Sequence, residues 1–150
     1  MSNETWPGFE LIAYDNSKSG QCASRVMKPS WELIESSVRS AFFSGGFVRL
    51  DVESPDWAHI RSLEMRSLAG KCRLVAATRD PDPKRELWVW WEDGDAPFRG
   101  QTMLNDHMWD DRTVCSDVKM AIDLFHLLFQ YDDEGKKVLM RMRSVWDPKV

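Results

Sequence analysis

The sequence predicts an α+β fold: an antiparallel, mostly meandering sheet of about five to seven strands, with two helices packed on one face. Two segments place apolar residues at helical spacing, and several others alternate apolar and polar residues with a period of two. The connections between the alternating segments are too short for crossover helices, which favours antiparallel pairing. A chain of 150 residues is expected to form a single domain, residues 1–150.

The first predicted helix follows Pro29 and reads WELIESSVRSAFFS. Ser30 is a suitable N-cap, and Gly45 and Gly46 are a stop signal. The apolar residues at helical spacing are Trp31, Ile34, Val38, Ala41 and Phe42. This pattern predicts an amphipathic helix with one buried face.

The second predicted helix starts after Ser116 and reads DVKMAIDLFHLLFQ. Its main apolar stripe consists of Val118, Ala121, Ile122, Phe125, Leu128 and Phe129. Three further residues, Met120, Leu124 and Leu127, widen this stripe. So broad an apolar surface predicts a helix that is deeply buried or shared with another chain, and the second alternative would make the protein a homodimeric adaptor domain.

The predicted strands are the segments rich in β-branched and aromatic residues, bounded by turn residues. They are 8–14 (GFELIAY), 47–53 (FVRLDVE), 60–68 (IRSLEMRSL), 72–79 (CRLVAATR), 86–92 (ELWVWWE), a strand within 98–104 (FRGQTML) and 137–146 (KVLMRMRSVW). Charged residues in these segments fall opposite the apolar set of the same strand. We therefore expect one polar face and one face that meets the helices.

The segment ELWVWWEDGD, residues 86–95, contains three tryptophans. A period of two separates Leu87, Val89 and Trp91 from Trp88, Trp90 and Glu92. The first set is expected in the core, so Trp88 and Trp90 are expected on the polar face. Either arginines of the same chain cover these two rings, or a partner protein does.

Acidic residues concentrate just after this strand. The net charge is −4, and residues 92–117 carry Glu92, Asp93, Asp95, Asp106, Asp110, Asp111 and Asp117 against Arg99 and Arg112 alone. The absence of a basic footprint argues against nucleic-acid binding. Such an acidic segment suits a basic protein partner.

The segment DHMWDD, residues 106–111, offers hard oxygen and imidazole ligands in Asp106, His107, Asp110 and Asp111. A small metal-dependent hydrolase built on these four residues is one hypothesis. The segment has no EF-hand spacing and no histidine pair four residues apart, so a solvated loop leading into the second helix is favoured. No nucleophile signature occurs elsewhere, and we expect neither catalysis nor a bound cofactor or metal.

The three cysteines, Cys22, Cys72 and Cys115, are widely spaced and odd in number. This usage fits reduced thiols in the cytoplasm better than a disulfide framework. The sequence shows neither a secretory signal nor an apolar stretch long enough to span a membrane, so we expect a cytoplasmic protein that makes no membrane contact.

Several short sequence motifs resemble those of a known group of proteins. These motifs lie within residues 45–150 and read GGFVRLDVE, TRD, WVWWE, RTVCSD and SVWDPK. Their layout resembles that of the small immunity proteins of bacterial polymorphic-toxin systems, including type VI and contact-dependent ones. The resemblance implies a protein that is not an enzyme and that binds and inhibits one cognate toxin, and a basic nuclease-like toxin domain would suit the acidic segment.

These families share no universal binding residues, so the candidate contacts come from the pattern of this sequence alone. The expected anchor comprises Trp88, Trp90, Glu92, Asp93 and Asp95. A second charged contact is expected at Asp106, Asp110 and Asp111.

Overall fold

The computed structural model describes residues 7–16, 23–92 and 95–146. The strands are β1 (Gly8–Asp15), β2 (Ser24–Met27), β3 (Gly46–Ser54), β4 (Ile60–Leu68), β5 (Lys71–Thr78), β6 (Leu87–Trp90), β7 (Gln101–Leu104), β8 (His107–Asp110) and β9 (Met142–Ser144). The helices are α1 (Trp31–Ser44) and α2 (Val118–Gln130), with a 3₁₀ segment at Asp132–Arg141 and single 3₁₀ turns at Pro83–Arg85 and Asp111–Thr113.

Seven strands form one antiparallel sheet in the order β2-β1-β3-β4-β5-β6-β9, and β7 pairs with β8 in a separate hairpin. Strands β3 to β6 follow one another as the predicted meander. The α+β class is therefore confirmed, with the 3₁₀ segment as a third helical element beside α1 and α2. Neither described helix combines the length and apolarity that crossing a membrane requires.

Helix α1 forms as its sequence predicts. The Ser30 hydroxyl accepts a hydrogen bond from the Leu33 amide at 3.1 Å, which caps the first turn. Gly45, at a φ of 90°, ends the helix and donates its amide to the Ala41 carbonyl at 2.8 Å. The buried face consists of Ile34, Val38, Ala41 and Phe42, which pack on β1, β3 and β4.

Packing within the chain explains the breadth of the apolar stripe on α2. This helix packs between α1 and the 3₁₀ segment, and it buries Ala121, Ile122, Leu124, Phe125 and Leu128. Met120, Leu127 and Phe129 are half-buried against the same core. No large apolar residue of α2 is exposed, which agrees with the first of the two alternatives, a deeply buried helix.

The prediction of a strand over residues 137–146 was largely wrong. Residues up to Arg141 lie in the 3₁₀ segment, and only Met142–Ser144 join the sheet. Alternating methionine and arginine imitated a strand, but Met140 is 84% exposed whereas Met142 is buried in the core. The two methionines therefore do not share one sheet face.

One other prediction is wrong. Residues 106–111 are not a solvated loop, because His107–Asp110 is a strand of the β7–β8 hairpin. The turn of this hairpin consists of Asn105 and Asp106, both in the left-handed region at φ of 52° and 67°. The sequence pattern makes no prediction for β2, which forms an edge strand of the main sheet.

Candidate functional site

The three tryptophans separate as their period predicts, but the expected faces are reversed. Trp88 pairs with Ala76 and Trp90 pairs with Met142, which places both indoles on the side of the sheet that meets the helices. The small Ala76 side chain leaves room for the neighbouring indole. The expectation that Trp88 and Trp90 stand on the polar face is therefore wrong, and Trp90 is only 9% exposed.

Trp91 is the indole that arginines cover. The Cζ atoms of Arg112 and Arg143 lie 4.9 Å and 5.0 Å from its ring centroid. Trp91 continues the parity of Leu87 and Val89 onto the second face of the sheet, away from the helices. Stacked guanidinium groups bury the ring there and leave it 6% exposed.

The β7–β8 hairpin lies against this second face. Leu104 is buried beneath it, and the Trp109 ring centroid is 3.6 Å from Cζ of Arg73 on β5. Residues that alternate with these two point the other way. Met103 pairs directly with Met108 on the outward face, where their residues are 65% and 49% exposed.

Two arginines hold the hairpin and the preceding loop in place. Arg112 makes a bidentate ion pair with Asp110, with N···O distances of 3.0 Å and 2.7 Å, and donates to the Ala96 carbonyl at 3.0 Å. Arg99 donates to Asp111 at 3.0 Å and also pairs with Glu92. Together they tie β8 to residues 92–99 and restrict how the hairpin can move.

Several carboxylates that the sequence predicted as partner contacts are thus engaged within the chain. The Arg112 hydrogen bond lowers the pKa of Asp110, and hydrogen bonds from Thr102 and then Arg99 lower the pKa of Asp111. Asp95 and Asp106 are exposed. Asp93 lies outside the described residues.

The ion pairs do not cancel the charge of the segment. Residues 92–117 contain seven carboxylates and two arginines, and 2 minus 7 gives −5. The segment still presents a negative field to an approaching protein, while its individual carboxylates are less free to bind one.

The four residues of the hydrolase hypothesis do not form a metal site. Asp106 and His107 lie at the tip of the hairpin, whereas Asp110 and Asp111 are held by arginines at its base. Within the described ranges, the ligand atoms of these four side chains do not come close enough together to bind one metal ion.

Three other carboxylates do come within 4.8 Å of one another, those of Glu10, Asp51 and Glu53 on β1 and β3. Arginines compensate two of them: Arg25 lies 3.1 Å from Glu10, and Arg49 lies 2.8 Å from Asp51. The negative charge that would attract a cation is therefore largely neutralised by the protein itself.

The exposed apolar residues of the hairpin were missed by sequence reasoning. The available signal was the pair Asn105 and Asp106, whose types tolerate the left-handed backbone of a two-residue hairpin turn. A hairpin centred there places Met103 and Met108 opposite each other on one face. Phe98, in the loop before β7, is also 62% exposed and lies 5.7 Å from the Arg112 guanidinium.

Comparisons with known proteins show the fold alone. Neither models of known families nor curated proteins match the sequence. A crystal structure of a hypothetical protein from Neisseria gonorrhoeae is similar, with a TM-score of 0.58 and 8% sequence identity, over 93% of this chain and 92% of that one. The likeness is one of architecture.

Proposed function

We propose that this protein is a toxin-neutralising immunity protein that binds its toxin through the outward face of the β7–β8 hairpin. The observation that carries the proposal is the exposed cross-strand pair Met103 and Met108, called the methionine pair below. Flexible, polarisable thioethers adapt well to a partner surface. The short sequence motifs within residues 45–150 that resemble those of immunity proteins support the same function.

The rigidity of the hairpin favours tight binding. Arg99 and Arg112 fasten its base, and the stacking of Trp109 on Arg73 fastens its inner face. A partner that docks on such a surface has little conformational entropy left to remove. The proposed role is therefore binding and occlusion rather than catalysis.

Charge supports a basic partner. The methionine pair belongs to residues 92–117, which carry a charge balance of −5, and an opposed potential on the toxin would accelerate association. Trp88 and Trp90 have no place in this contact, because they face the helices. The proposed contact residues are instead Met103, Met108 and Phe98, with the exposed carboxylates Asp95 and Asp106 at the rim.

The test is co-expression with the polypeptide encoded immediately upstream of this protein, followed by growth and pull-down measurements. We expect the neighbour alone to arrest growth and the wild-type protein to restore growth and to co-purify with it. Met103→Lys should abolish both effects, because a charge in the centre of a desolvated contact is costly.

Met140→Lys is the matched control, since Met140 is also an exposed methionine but lies on the 3₁₀ segment. It should protect like the wild type. Cells that survive the neighbouring polypeptide without this protein would contradict the immunity function. Full protection by a folded Met103→Lys variant would contradict the hairpin as the contact surface.

A further inference from the structure

A cleft of about 340 Å³ separates the hairpin from the second face of β4 and β5. Its lining includes Arg66, Arg73, Val75, Leu104, His107 and Trp109. Val75 and Leu104 supply apolar surface, while the arginines and His107 supply hydrogen-bond donors. The cleft has the size and the mixed lining of a site for a small organic molecule.

No carboxylate in the described part of the chain forms an ion pair with Arg73. Among the described residues its guanidinium makes no hydrogen bond or ion pair, and its Nε is buried without an acceptor. Burial lowers the pKa of Arg73 to about 10, so the group is still charged at neutral pH. Glu64 also lines the cleft, and its carboxylate forms an ion pair with Arg66 at 3.4 Å.

Stacking on Trp109 does not satisfy Arg73. The ring centroid 3.6 Å from Cζ occupies the face of the guanidinium, whereas its N–H donors lie in the plane and point outward from the edge. Buried donors without acceptors are uncommon in folded proteins, and a water molecule, an ion or a ligand group can supply the missing acceptor. The planar fork of a guanidinium matches a carboxylate, which can accept two hydrogen bonds from it.

We infer that this cleft binds a small organic carboxylate, with the carboxylate on Arg73 and the apolar body against Val75 and Leu104. The inference is independent of the proposed immunity function, because it concerns the inner side of the hairpin rather than the methionine pair. Ligand binding there would join β5 to the hairpin and would give Arg73 an ion pair.

The test is a ¹H–¹⁵N NMR titration that follows the indole N–H signals of the full chain. The Trp109 signal is assigned with the Trp109→Phe variant. The Nε1–H group of Trp109 donates a hydrogen bond to the Leu104 carbonyl at 3.2 Å. Sodium benzoate is the probe, with sodium chloride at equal ionic strength, neutral benzamide and sodium acetate as comparisons. We expect benzoate to shift the Trp109 signal saturably, acetate to bind more weakly, and benzamide and chloride to have no saturable effect.

Variants separate the binding group from general charge. Arg73→Met should weaken benzoate binding about tenfold or more, because a charge-assisted hydrogen-bonded pair is lost. Arg73→Lys keeps the charge but not the fork, and we expect an intermediate affinity. Arg61→Met removes an exposed arginine on β4 outside this cleft lining and should bind benzoate like the wild type.

Three results would overturn the inference. They are the absence of a saturable shift with benzoate, equal affinity for benzoate and benzamide in the wild type, and unchanged benzoate affinity in a folded Arg73→Met variant. The benzoate and benzamide comparison needs no substitution, so it remains decisive if Arg73→Met disturbs the hairpin. Equal affinity for acetate and benzoate would overturn the role of the apolar surface.

Discussion

Cys72 and Cys115 face each other as an antiparallel bridge, with the Cys72 amide 2.8 Å from the Cys115 carbonyl and the Cys115 amide 2.7 Å from the Cys72 carbonyl. The bridge joins the segment that leaves the hairpin to β5, just before α2 begins. The adjacent Cys115 side chain and burial raise the pKa of the Cys72 thiol, and the adjacent Cys72 side chain lowers the pKa of the Cys115 thiol. The Cys115 thiol donates a hydrogen bond to the Asp117 carbonyl at 3.3 Å.

Burial should decide the reactivity of both thiols. In a Cys22→Ser background, where these are the remaining two cysteines, we expect the native protein to react with an aromatic disulfide reagent about a thousandfold or more slowly than the denatured protein. The release of thiolate is followed by absorbance with and without denaturant. Rapid reaction of one thiol in the native protein would contradict the burial of both cysteines.

Trp90 should behave as a core residue. Trp90→Ala removes an indole packed in the main cluster, and we expect the free energy of unfolding to fall by about 3–5 kcal/mol. Urea denaturation followed by far-UV circular dichroism measures this change. Trp146→Ala is the control, because Trp146 is 63% exposed, and its change should stay within about 0.5 kcal/mol. Similarly small losses of unfolding free energy in both variants would contradict the burial of Trp90.

The hairpin turn makes a prediction that separates backbone from charge. Asp106 lies at a φ of 67°, which glycine adopts without a steric penalty. The Asp106→Gly variant should be more stable than the Asp106→Ala variant by about 1 kcal/mol, although both changes remove the same carboxylate. Thermal unfolding of the two variants measures the difference. Equal unfolding temperatures would show that the left-handed conformation costs nothing at this position.

The pairing of Asp110 with Arg112 predicts a pH dependence. Since the folded pKa of Asp110 is lowered, its stabilising contribution is complete above the unfolded carboxyl pKa of about 3.9. The contribution is lost as the pH falls through the lowered folded value. Asp110→Asn should therefore be most destabilising near neutral pH, and the difference from wild type should shrink in acid. Urea midpoints over a pH series measure it.

Arg112→Gln provides the control for this pair. In that background Asp110→Asn should cost much less at neutral pH, because the partner that lowers the Asp110 pKa has been removed. An equal cost in both backgrounds would show that Asp110 acts through other contacts, such as the cap it provides to the Arg112 amide.

Local patterns predicted those elements whose burial follows from neighbouring residues alone. Helix α1 has one apolar stripe, a serine cap and a glycine stop, and all three features are realised. Strands β3 to β6 alternate clearly and are joined by short connections, so the meander could be predicted. Segments with an ambiguous pattern failed: residues 137–141 alternate like a strand and yet form a 3₁₀ segment.

The candidate site depended on contacts that are distant in the sequence. Periodicity separated Trp91 from Trp88 and Trp90, but the pairing of β6 with β5 and β9 determines which set faces the helices. Likewise, the sequence shows seven carboxylates in residues 92–117, whereas only the folded hairpin pairs Asp110 and Asp111 with arginines. The cleft beside Arg73 exists only because the hairpin folds back over β5.

By itself the sequence determined the α+β class, the position of α1, the meander and the acidic balance of residues 92–117, because each follows from local periodicity or a count of charges. The tertiary structure decided which tryptophans are buried by helices, which carboxylates are neutralised and which methionines reach solvent. Those outcomes depend on the distances between side chains of different elements, and the order of residues in the sequence does not specify these distances.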